Sequence, residues 1–100
     1  MKVSEVELET VKDYCGISDD DSDEILAALM PAASAFIRNY TGLNAEQVDA
    51  LDEMSYAYMV LVNDMFTHRE WSTDKLRQSM NPCAKTILDM HSHNLVGWSD

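Results

Sequence analysis

Apolar residues recur at helical spacing in four stretches of the chain, and nowhere does an alternating β-branched run appear. Leu8, Val11 and Cys15 stand at i, i+3 and i+7 with Tyr14 beside them, which predicts a short helix over 4–15. Ser4 with Glu7 reads as a capping box ahead of it, and Gly16 offers the left-handed position behind it. Ile25, Leu26, Leu29, Ala33, Phe36, Ile37 and Tyr40 hold the 3.6-residue period and predict a second helix over 22–40, closed by Thr41-Gly42 and kinked at Pro31. Asn44 and Gln47 cap a short helical turn over 45–50.

A third helix is predicted over 52–70. Met54, Ala57, Tyr58, Leu61, Val62, Met65 and Phe66 form one face, while Tyr56, Met59 and Val60 are apolar on the opposite side. A helix apolar nearly all round is buried on several sides, either centrally or against another subunit, so Tyr56, Met59 and Val60 are candidate subunit-interface residues. Residues 71–80 are polar and without clear period, and are read as an exposed loop. Asn81 as cap and Pro82 at the first helical position open a last helix over 82–94 with Ala84, Ile87, Leu88, His91 and Leu95 inward. Residues 95–100 remain as a short tail. The fold class is therefore all-α, a small bundle of about four helices in one domain over 1–100.

Composition narrows the function. The 100 residues carry 18 Asp and Glu against 7 Lys and Arg, a net charge of −11, which argues against a sequence-independent binder of DNA or RNA. A hydrophobic share of 46% is enough for a core and too high for a disordered acidic tail. The longest uncharged apolar stretch, Met54 to Asn63, is about half of a membrane span, and the N-terminus has no apolar signal core. Cys15 and Cys83 are too few for a disulfide framework and too far apart for a metal knuckle, so both are expected to be buried, reduced thiols.

Candidate chemistry is weak throughout. Asp19, Asp21 and Asp23 match positions 1, 3 and 5 of a calcium loop, but Glu24 stands where glycine is needed and Met30 where the closing glutamate should be. The run reads as carboxylates at the positive end of a helix. His91 and His93 diverge on a helix and cannot share one ion. A Cys83–His91 hydrolase is a formal rival, yet no third orienting group stands at a telling spacing. No cofactor is implied. Asp64 can pair with His68 at i, i+4, and Arg69 beside Trp71 suits an interface hot spot.

The ordered set of signals resembles the small α-helical head–tail connector proteins of tailed bacteriophages, the head-completion adaptors attached beneath the portal. The resemblance rests on Val11-Lys12-Asp13-Tyr14-Cys15-Gly16-Ile17, on the acidic run leading from Asp19 to Leu29, and on Ala33 to Gly42 as AxxFIxxYTG. It continues through Phe66-Thr67-His68-Arg69-Glu70 and Asn81-Pro82, and covers about residues 5 to 95. One departure is plain: many members close the last helix with a basic residue, whereas this chain has Leu88-Asp89-Met90-His91-Ser92-His93.

The resemblance implies a non-enzymatic adaptor at the head–tail junction of a virion, made in the host bacterial cytoplasm. It implies a ring of about twelve subunits, with the portal protein and the next tail-side component as partners and DNA passing through without specific binding. His91, His93, Leu95 and Trp98 are then candidates for docking on portal or tail, His91 and His93 standing in for the missing basic residue. The loop over 72–80 and the tail from Asn94 are expected to order on assembly. An alternative from another class stays open: an acidic DNA mimic that inhibits or regulates a basic host protein.

Overall fold

Six α-helices and one 3-10 turn account for the regular structure in a computed structural model that describes residues 1–92. The helices are α1 (Leu8–Cys15), α2 (Asp23–Thr41), α3 (Ala45–Asp49), α4 (Glu53–Thr67), α5 (Thr73–Ser79) and α6 (Pro82–Met90), and the 3-10 turn is Val3–Glu5. No strand occurs among the described residues. The chain is an all-α bundle, as its periodicity predicts.

Several boundaries are set by the residues that signal them. Gly16 and Gly42 end α1 and α2 at φ 73° and 78°, where a Cβ would be strained. Asn44 and Gln47 cap α3 reciprocally, each side chain accepting from the other's backbone N–H at 2.8–2.9 Å. Asn81 Oδ1 accepts from the Cys83 N–H at 2.8 Å, with Pro82 at the first helical position of α6. α2 continues through Pro31, whose exposed ring removes one hydrogen bond without ending the helix.

α4 is the central helix and packs against α1, α2 and α6. Met54, Ala57 and Leu61 are fully buried along its inner face together with Val62, and Leu26, Ala33 and Ile37 of α2 and Ala84 and Leu88 of α6 complete the core. α6 runs antiparallel to α4. Its start is held where the Asn81 N–H donates to Asp64, and its end lies where His91 meets Glu53.

Four expectations are corrected. The exposed loop over 72–80 is instead α5, capped where Ser72 Oγ accepts the Lys75 N–H at 3.2 Å and anchored by buried Leu76, with buried Met80 just behind it. The Ser4–Glu7 capping box does not form: Ser4 lies in the 3-10 turn, and its hydroxyl and N–H both donate to Asp49, at 2.6 and 3.1 Å. Asp64 does not pair with His68: its carboxylate accepts the Asn81 N–H at 2.9 Å, and the His68 ring lies 3.8 Å from Glu70 instead. Cys83 is exposed and Cys15 half-buried, so the two thiols are not both buried.

Candidate interaction surfaces

The charged groups of the fold separate into two regions. Nine carboxylates lie between Glu5 and Glu24, with Lys12 as the single cation among them. Lys12 does not offset them at the surface, because its side chain is only 4% exposed. Its ammonium sits 2.8 Å from Asp20 and 2.8 Å from Asp23, tying α1 to the acidic run that opens α2. Those bonds hold the Lys12 pKa above its usual value, and the bond from Lys12 holds Asp20 below the usual carboxylate range. Of the three carboxylates that resembled a calcium loop, Asp23 serves the buried lysine, while Asp19 Oδ1 accepts the Asp21 N–H at 3.1 Å. Among the described residues no group of three or more His, Cys, Asp or Glu side chains is placed to hold a metal ion.

Cations gather instead from Arg69 to Lys85, and most of them lie over aromatic rings. The Arg69 guanidinium is 5.0 Å from the centre of Phe66, and the Lys75 ammonium 6.0 Å from Trp71. Arg77 covers both Phe36 and Tyr40 at 5.6 and 5.0 Å. His68 and Trp71 stack at 3.9 Å with ring planes 7° apart. Such contacts keep a cation at an apolar surface without burying it. Beside them is a cavity of about 220 Å³, with Leu29, Met65, Trp71 and Leu76 in its walls and Arg69 at its edge.

The candidate interface residues divide accordingly. Val60 is 2% exposed and belongs to the core of this subunit, so it is unavailable to a neighbour. The apolar breadth of α4 is largely explained by its central position. Tyr56 remains 42% exposed and meets Tyr14 of α1 edge-on at 6.3 Å, and Met59 is half-buried. Arg69 is exposed and Trp71 half-buried at the cavity just described. The structure therefore places Tyr56 and Trp71 in two different surfaces.

Of the candidate docking residues, His91 is half-buried with Nε2 3.3 Å from Glu53, an approach that lacks hydrogen-bond geometry. His91 also lines a second cavity of about 260 Å³ with Leu43, Gln47, Ala50 and Leu51. His93, Leu95 and Trp98, and the tail that contains them, lie outside the described residues.

Near His91, the Tyr40 hydroxyl and Lys85, at 3.0 Å, both donate to Asp89. Burial raises the Asp89 pKa, but the bonds from Tyr40 and Lys85 outweigh it and hold the carboxyl below its usual range. Sequence reasoning missed Lys12, α5 and the cation–aromatic row. Only Leu76 and Met80, four residues apart in a polar stretch, signalled the second of these.

No helix among the described residues is long and apolar enough to cross a membrane. No curated protein and no solved structure matches the chain. One family model does match, over residues 5–92, and its description is a phage gp6-like head–tail connector protein. That span takes in every helix of the bundle, α1 through α6, and on this ground the chain belongs to the gp6-like family of phage head–tail connector proteins.

Proposed function

We propose that the chain is a non-enzymatic structural adaptor that assembles as a ring between phage portal and tail and extends the channel through which DNA passes. The observation that carries this reading is the family match over residues 5–92. The physical character of the chain supports it. A net charge of −11 per subunit, repeated around a ring, makes a wall that repels phosphates, and DNA has to slide past such a wall without adhering. The action is mechanical: dock on the portal, complete the head, and present a surface to the next tail-side component.

The test is assembly on the portal. Purified chain mixed with portal rings should add cylindrical density to one end of the portal in electron micrographs, and heads made without the chain should fail to join tails. Normal tail attachment in its absence overturns the reading. In the same preparations, double-stranded DNA should show no retention by the free chain at moderate salt.

A further inference from the structure

Four elements enclose a cavity that the connector reading leaves without a task. It has a volume of about 290 Å³ and lies between the 3-10 turn, α2, α3 and α4. Val6, Met30 and Val48 give it apolar walls, and the exposed Ser4, Pro31 and Ala45 mark where it reaches the surface.

Three polar side chains in those walls have no partner among the described residues. Arg38 makes no ion pair, and the hydroxyls of Ser34 and Tyr58 make no hydrogen bond. All three are withdrawn from solvent: Tyr58 is 4% exposed, and Ser34 and Arg38 are half-buried. Burial raises the Tyr58 pKa. Buried polar groups are normally paired, because an unpaired one has given up its bond to water for nothing. Ser34 and Arg38 stand four residues apart on α2 and so share one face of it. Helical side chains lean toward the N-terminus, which takes Arg38 over the turn that carries Ser34.

The chemistry of a ligand follows from these groups. A guanidinium binds a carboxylate through two parallel hydrogen bonds, and a hydroxyl can add a third. One guanidinium balances one negative charge, while Asp49 in the same walls and the net charge of −11 disfavour a dianion such as a phosphate monoester. Asp49 accepts the N–H and the hydroxyl of Ser4, one on each carboxylate oxygen, at 3.1 and 2.6 Å. Each oxygen keeps a second lone pair that can accept an N–H. An apolar cavity of roughly 150 Å³ accepts a benzene ring, so one of about 290 Å³ has room for a ring and a carboxylate beside it.

We propose that this cavity binds the carboxyl end of a polypeptide whose last side chain is apolar. Arg38 and Ser34 hold the terminal carboxylate, with the Tyr58 hydroxyl as a further donor. Asp49 accepts the last amide N–H, and the apolar walls take the side chain. A chain end carries all three features in one residue, and the residues before it leave through the exposed mouth. The site goes beyond the connector reading and does not depend on it, since neither a portal nor a ring is needed to form it.

Calorimetric titration of the full chain tests the site with three probes: acetyl-Ala-Ala-Ala-Phe, the same peptide ending in an amide, and free phenylalanine. The carboxylate peptide should bind at least about tenfold more tightly than the amide, which leaves Arg38 unpaired. Arg38→Gln should bring the carboxylate peptide down to the affinity of the amide, and Ser34→Ala should weaken it by a smaller factor. Circular dichroism checks that each variant keeps its helices, and the comparison of peptides on wild type holds whether or not a variant folds.

Equal affinity for the two peptides, no saturation by either up to about 10 mM, or an Arg38→Gln protein that binds as wild type does would each overturn the site. Free phenylalanine that binds as tightly as the carboxylate peptide would overturn the assignment to a chain end. Attachment to the portal is a separate measurement, so a failed titration removes this site and leaves the connector reading standing.

Discussion

Lys12 shows how a single charged residue organises a local structure. Its side chain is buried, and its ammonium is held by two carboxylates at 2.8 Å. The linkage has a definite sign. Asp20, Asp49 and Asp89 all have folded-state pKa values below the usual one, the last two through Ser4 and through Tyr40 with Lys85. Their contribution is present above about pH 4 and is lost as pH falls through the depressed values. Lys12, with its pKa raised, contributes below its ordinary value near 10.5 and loses that contribution only in strong alkali. Lys12→Met should therefore flatten part of the acid limb of a stability-against-pH curve measured by urea denaturation, leaving the share owed to Asp49 and Asp89. An unchanged acid limb would remove the Lys12–Asp20 pair from the account. Tyr40→Phe deletes one donor to Asp89 while Lys85 stays, and should cost about 1 kcal/mol in the same assay.

Individual helices are where the sequence was most and least readable. Gly16, Gly42, Asn44 with Gln47, and Asn81-Pro82 act within a few residues of themselves, so their roles survive whatever the rest of the chain does. α5 was unreadable because seven residues with one buried side chain carry no period, and what holds it is Leu76 in the core and Arg77 over Phe36 and Tyr40 of α2, which are tertiary facts. Ser4 with Asp49 and Asp64 with Asn81 join residues 45 and 17 apart, which no local window contains. Val60 was misplaced for the related reason that a helical wheel shows which sides are apolar but not what covers them. Two measurements belong at this scale. Asn81→Ala removes the cap of α6 and should cost about 1 kcal/mol. Pro31→Ala restores a helix donor at an exposed position in α2 and should raise stability by about 1–2 kcal/mol, net of the freedom returned to the unfolded chain. A destabilised Pro31→Ala protein would mean that the fold relies on the ring itself.

For the molecule as a whole, charge and packing work on different parts. The core is built on α4, and Leu61→Ala at its fully buried centre should cost about 2–5 kcal/mol in thermal or denaturant unfolding. The surface carries the excess of negative charge, which repels phosphate-bearing molecules, and four of the seven Lys and Arg residues lie from Arg69 to Lys85.

The modest anchoring of α5 has a consequence in time as well as in space. A short helix with one buried side chain can open while α4 and its neighbours stay folded. Its amides should exchange with deuterium at a faster, local rate, whereas those of α4 wait for the whole bundle to unfold. Trp71, immediately before α5, and Leu76 within it then line a cavity whose wall breathes. Whatever settles there would slow exchange across residues 72–80 and leave α4 unchanged, so its binding would be legible as a loss of motion in one short helix.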